Sequence, residues 1–222
     1  MPVFRFMISW RFSKKLLTPT IGRFARFSII IGTEGLQYAA SKGLGVVIME
    51  PLRGGNLVNL PPAAKEILAQ GSQERSPAEW GLRWVWDHPE VSIVLSGMNA
   101  VAQVEENMRV ASVAAPGNLS EEERQLVGTV KTLLKERIRV NCTACSYCMP
   151  CPVGINIPRM FSIYNDDSMF DGAPETRRAY TVVSKLAAPI SACVECGKCA
   201  SHCPQGIAIP EELKKVRAQF EG

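Results

Sequence analysis

Cysteine is missing from the first 141 residues of this 222-residue chain, although eight occur after that point. Histidine is scarce, with His88 and His202 the only two. Acidic residues are missing before Glu34, whereas Arg5, Arg11, Lys14, Lys15, Arg23 and Arg26 precede it. No apolar run reaches the roughly 18 to 20 residues that cross a bilayer. An apolar leader with a cleavage site is missing too. Neither a membrane span nor a secretory leader is therefore expected. The net charge of +4 is too mild to argue for nucleic acid.

What is present is an ordinary globular composition, 46% hydrophobic, with room for one medium domain and a small one. Residues 1–31 are basic and show neither helical nor strand period. Residues 32–118 alternate helix and strand. Gly32 to Ser41 suits a helix that Lys42 and Gly43 end. Val46-Val47-Ile48-Met49 is a short continuous apolar run, as expected of a strand buried on both faces. A turn follows at Pro51-Leu52-Arg53-Gly54-Gly55. The next helix opens Ser76-Pro77-Ala78-Glu79, with a cap residue, Pro at the first helical position and Glu at the third. His88-Pro89 ends it. Val91 to Leu95 is the second strand, and another helix starts near Asn99. Strand, helix, strand, helix predicts a parallel α/β sheet. Over 119–140 a connecting helix begins with the capping box of Ser120 and Glu123. Residues 141–222 hold the cysteines and end in a helix from Pro210 onward.

An even number of cysteines could form four disulfides in an oxidising compartment. Neighbours separated by only two residues are poor disulfide partners but good ligands for one metal centre, which points to a reducing, cytoplasmic setting. The second motif is Cys193-x2-Cys196-x2-Cys199-x3-Cys203-Pro204, the bacterial ferredoxin run. Three cysteines so spaced can wrap one cubane cluster while the fourth reaches another. The first motif, Cys142-x2-Cys145-x2-Cys148-x2-Cys151-Pro152, is one residue shorter before its last cysteine. The expected ligand sets are Cys142, Cys145, Cys148 and Cys203 for one [4Fe–4S] cluster, and Cys193, Cys196, Cys199 and Cys151 for the other. Zinc is the alternative, since two C-x2-C pairs alone would suit it. Tyr147, Met149, Ile155, Ile157, Ile207 and Ile209 are apolar neighbours that would shield clusters from water. Lys198 and His202 read as solvated.

Each strand of the α/β block runs into a segment suited to a phosphate: Gly54-Gly55 after the first, Ser96-Gly97-Met98 and a helix N-terminus after the second. A plain turn explains the same glycines. The run from Gly43 to Gly55 resembles the seventh strand and following loop of an aldo/keto reductase barrel. Val91 to Met98, with Gln103, Glu106 and Asn107, resembles strand eight and its cofactor-binding helix. The paired cysteine motifs resemble those of the ferredoxin-fused branch of that family, and the likeness covers about residues 32–222. It implies a partial (β/α)8 TIM barrel, about strands seven and eight with their helices, over 32–118, followed by an α-rich, ferredoxin-like domain with two [4Fe–4S] clusters. It also implies NADP(H)-linked carbonyl reduction or electron transfer in an intact parent, with a small carbonyl substrate and a redox carrier protein. Pro51, Leu52, Arg53 and Gly54 would then meet the pyrophosphate, and Ser96, Gly97 and Met98 the adenosine phosphate. Gln103, Glu106 and Asn107 would lie near the adenine, although a solvated helix face predicts the same last residues.

The catalytic Asp, Tyr, Lys and His of that family lie on earlier strands, and no matching segment is present. Neither His88 nor His202 suits a general acid, so no catalytic residue is assigned. The alternative function is a stand-alone ferredoxin-like electron carrier. Residues 1–31 do not resemble the family. Synonymous codons for residues 2–31 permit, in a shifted frame, a peptide resembling the region that precedes residue 32 in it. The expectation is a truncated, frame-disrupted chain; a transit peptide or a membrane-lying basic segment is the rival reading.

Overall fold

A computed structural model describes residues 24–28 and 32–222. The chain forms two compact units, one up to Lys131 and one from Thr132 onward.

In the first unit, β1 (Phe24–Ser28), β2 (Gly45–Met49) and β3 (Val91–Val94) form a parallel sheet in the order β1-β2-β3. Helix α1 (Gly32–Ser41) precedes β2, and Gly43 at φ 68° makes the left-handed turn that ends it. A 3-10 turn over Arg53–Asn59 and the short helix α2 (Pro62–Leu68) follow β2. The start of α3 (Pro77–Trp86) is capped as its sequence indicates: the Glu79 N–H donates to Ser76 Oγ at 3.0 Å. After β3 come α4 (Val101–Val113) and α5 (Glu121–Glu136). The α5 capping box is complete, with Glu123 N–H donating to Ser120 Oγ at 3.2 Å and Ser120 N–H to Glu123 Oε2 at 3.1 Å.

Two findings correct the sequence reading. Residues 24–28 lack strand periodicity, yet they pair with β2 residue for residue. That pairing uses backbone groups, which side-chain alternation does not report. The remainder of the 1–31 segment lies outside the described residues. Second, β2 is not buried on both faces: Val46 and Ile48 are buried, Val47 is half-buried and Met49 exposed. The strand order advances in one direction, so right-handed crossovers carry α1 and α3 to the same face. Leu36, Ala39, Val46, Ile48 and Val85 pack there, while Ile93 and Leu95 stay 44% and 47% exposed. Ser92 is an extra residue in the β3 register, and its hydroxyl accepts the Val46 N–H at 3.1 Å.

A buried ion network joins the helices of this unit. Glu79, only 5% exposed, accepts from Arg83 at 2.8 Å and from Arg109 of α4 at 2.9 Å. Arg75 donates to Glu123 of α5 at 2.6 Å and lies over the Trp80 ring at 4.8 Å. Asp87 accepts from Arg124 at 2.9 Å and from the Leu119 N–H at 2.9 Å. Burial pushes both carboxyls up, but their partners outweigh it. Arg109 and Arg83 hold Glu79 below the usual carboxylate range, and Arg124 with the Leu119 N–H does the same for Asp87.

The second unit is built of helices: α6 (Ile157–Met169), α7 (Pro174–Leu186), a 3-10 turn Ile190–Ala192, the single turn α8 (Lys198–Ser201) and α9 (Ile209–Phe220). Only α9 is legible beforehand. α6 buries nine of its thirteen residues, the polar Asn165 and Asp167 among them, whereas α7 buries only Thr176 and Tyr180. Ile157, Phe161, Ile190, Ile209, Leu213 and Val216, each at most 2% exposed, form the core where α6 meets α9. The buried Asp167 of α6 accepts from Thr176 of α7 at 2.7 Å and from Gln219 of α9 at 2.9 Å.

Both cores predict measurable costs. Trp80, Trp84 and Trp86 lie in the first unit and no tryptophan follows Lys131, so a fluorescence melt follows that unit. Carboxyls depressed in the folded state stabilise it above their unfolded pKa, and that stability is lost as pH falls through the folded value. The fluorescence-detected melting temperature therefore declines on acidification below about pH 4, the ordinary carboxylate range. Glu79→Gln costs about 3 kcal/mol, the low end for breaking a buried pair because Arg109 is largely exposed, and flattens that acid dependence. In the second unit Phe161→Ala costs about 3 to 5 kcal/mol in circular dichroism melts, as expected for emptying a fully buried aromatic site.

Candidate metal centre

All eight cysteines lie in two irregular segments, one between α5 and α6 and one around α8. The two segments share a backbone path. Ala144 and Glu195, each just before a second cysteine, have φ of 52° and 50°; Ser146 and Gly197, just after it, have 66° and 72°. Gly154 and Gly206, three residues past the fourth cysteine, have 81° and 64°, and each donates its N–H to that cysteine's carbonyl at 2.9 and 3.1 Å. Left-handed conformations cost a non-glycine residue roughly 1 to 2 kcal/mol, so Ala144, Ser146 and Glu195 store strain where the loops bend. Each segment then enters its helix through the same pattern, Gly154-Ile155-Asn156-Ile157-Pro158 and Gly206-Ile207-Ala208-Ile209-Pro210. The repeat is thus longer than the cysteine spacing that reveals it in the sequence.

The cysteines line two cavities. Cys142, Cys145, Cys148 and Cys203 line the smaller one, together with Phe161, Ile157 and Ile209. The larger, about 240 Å³, is lined by Cys151, Cys193, Cys196 and Cys199, with Cys148 on the wall between the two. Cys203 comes from the second motif and Cys151 from the first, so each cavity draws thiols from both. A set of cysteine thiols beside apolar residues such as Ile157 is the donor set that iron–sulfur clusters take. Among the described residues no group of three or more His, Cys, Asp or Glu is close enough to hold a single metal ion.

Burial pushes the Cys142, Cys148 and Cys199 thiols up, Cys148 to about 11, and neighbouring cysteines add to the shift. Cys145 and Cys196 are exposed and mark the rim. Of the apolar neighbours, Ile155, Ile157 and Ile209 are buried, Met149 and Ile207 half-buried, and Tyr147 is 66% exposed. Lys198 and His202 are exposed, with His202 Nδ1 facing the Lys198 carbonyl at 2.7 Å.

The residues singled out for a nucleotide lie in the first unit. β2 and β3 are adjacent and parallel, so Pro51, Leu52, Arg53 and Gly54 leave the same sheet edge as Ser96, Gly97 and Met98. On α4, Asn107 donates to Ser96 Oγ at 3.1 Å, Gln103 accepts the Asn99 N–H at 3.0 Å, and Glu106 accepts from the Ser76 hydroxyl. These contacts tie α4 to the loop before it and to the cap of α3. Pro51 is buried.

The family described as a 4Fe-4S dicluster domain matches residues 141–208. No curated protein and no solved structure matches this chain. The chain therefore carries a 4Fe-4S dicluster domain, which supports an iron–sulfur, electron-transfer role.

Proposed function

We propose that this protein transfers electrons through two [4Fe–4S] clusters, one held by Cys142, Cys145, Cys148 and Cys203, the other by Cys193, Cys196, Cys199 and Cys151. The observation that supports this reading is the exchange of one thiol between motifs at the two cavities. Bound there, such clusters supply reversible one-electron transfer. The chain's own part is to present thiolates, to exclude water beneath them with Ile157, Phe161 and Ile209, and to leave Cys145 and Cys196 at the surface. An external redox carrier would meet that rim. We place the protein in a reducing, cytoplasmic setting, because free thiols so closely spaced serve metal rather than disulfides.

The finer reading rests on resemblance. Residues 32–118 would be the end of an aldo/keto reductase barrel, joined by 119–140 to the cluster domain at 141–222, with residues 1–31 foreign to the family. Parallel strands with their helices on one face suit that reading. NADP(H) would lie along the loops after β2 and β3, and a parent enzyme would reduce a small carbonyl compound. No catalytic residue is assigned. His88 is held against the Trp84 carbonyl at 2.8 Å, and His202 is exposed among the cysteines.

Anaerobic analysis should find about eight iron and eight sulfide per chain, with an EPR signal on reduction. Cys203→Ser and Cys151→Ser should each remove about half the iron, from different clusters. Tightly bound zinc without sulfide would sink the cluster reading. Fluorescence titration with NADPH examines the nucleotide site independently: saturable quenching is expected, and its absence leaves the stand-alone carrier.

A further inference from the structure

The cysteine segments contain little regular structure, so something else must fix where each begins. Ahead of Cys142, the N–H groups of Arg139 and Val140 both donate to Asn165 Oδ1, at 3.1 and 3.0 Å. The Asn165 amide also donates to the Val140 carbonyl at 2.8 Å. Ahead of Cys193, the Ile190 N–H donates to Glu221 Oε1 at 2.8 Å and the Ser191 N–H to Glu221 Oε2 at 3.1 Å. The arrangement is the same twice. Each N–H pair stands three and two residues before the first cysteine of a motif. Its acceptor lies on, or next after, the helix that follows that same motif: Asn165 on α6, Glu221 just past α9.

The surroundings hold both acceptors in place. Asn165 is buried, and the Arg139 guanidinium lies along α6, donating to Tyr164 Oη at 3.0 Å and Ser168 Oγ at 3.0 Å. Glu221 also accepts from the Tyr180 hydroxyl, and Tyr180 stacks on Phe220 with ring centroids 4.7 Å apart. The two acceptors differ in charge. Burial pushes the Glu221 carboxyl up, but its bonds from Tyr180, Ser191 and Ile190 outweigh that and keep it ionised.

We infer that Asn165 and Glu221 are positioning residues, each closing one cysteine motif into a loop and so fixing one of the two clusters. This rests on the iron–sulfur reading of the site. Losing either acceptor strands two backbone donors and frees the leading end of one motif, while the other motif keeps its own clasp. Glu221 adds a negative charge beside the second motif, which disfavours an added electron there; Asn165 adds none.

The test uses the full chain loaded with its clusters. Iron release to a chelator is followed alongside EPR of the reduced protein. Asn165→Ala and Glu221→Ala should each speed the loss of about half the iron by about tenfold, the consequence of stranding one buried backbone donor, that of Val140 or of Ile190. The remaining half should leave at the wild-type rate, and the half that is lost should differ between the variants. Glu221→Gln keeps an acceptor, so its release should stay within about threefold of wild type. It should also raise the midpoint potential of the same cluster alone. Equal acceleration of both halves, or none, overturns the inference. If an alanine variant fails to load, Glu221→Gln decides: an unchanged potential, or equal shifts in both clusters, overturns it. A wild-type chain without iron and sulfide instead removes the site reading itself, and is seen before any variant is made.

Discussion

The packing of α6 against α9 is the contact on which the cysteine loops depend. Ile157 and Phe161 from one helix share a buried cluster with Ile209, Leu213 and Val216 from the other, and Ile190 belongs to it too. The loops have few hydrogen bonds of their own and bend through left-handed residues that cost energy. They keep that path because each runs directly into a helix whose first buried residue, Ile157 or Ile209, is locked in the core. The same residues floor the thiol cavities. A single apolar cluster therefore offsets the strain, orients the helices and shields the thiols. Asp167 adds a polar counterpart, joining α6, α7 and α9 through one carboxylate.

The first unit is held together differently. Among the described residues its sheet is packed on one face, so the apolar burial available to three short strands is limited. Charge fixes how its helices are arranged. Glu79 gathers Arg83 and Arg109, Arg75 reaches Glu123, and Asp87 ties Arg124 and the Leu119 N–H. Such a network is directional: each carboxylate fixes where a helix starts or how it lies beside the next. It is also sensitive to acid, which the apolar core of the second unit is not.

Repetition is the other organising fact of the cysteine-bearing unit. Two segments share left-handed positions, a glycine three residues past the last cysteine, and an Ile-x-Ile-Pro passage into a helix. The cavities do not follow that division, since each takes a thiol from the opposite segment. Neither cavity could be lined as it is unless both segments were folded. Each cavity is therefore completed by one cysteine from the other repeat.

What the sequence determined by itself is local. Ser76 with Glu79 and Ser120 with Glu123 mark helix starts because both partners of each cap lie within one turn. Gly43 ends α1 for a reason carried by its own backbone. The cysteine spacing points to metal because two intervening residues set how ligands can converge. Other features required the tertiary structure. β1 forms only because β2 lies beside it, and β2 buries one face only because both crossovers fall on the same side. α6 buries the polar Asn165 and Asp167 along with its apolar residues, because distant segments supply their hydrogen-bond partners. Which thiols share a cavity, and which side chains clasp the loops, depend on residues such as Asn165 and Glu221 that are 25 to 31 positions from their partners. No short-range rule relates residues that far apart; the packing of α6 and α9 brings them together.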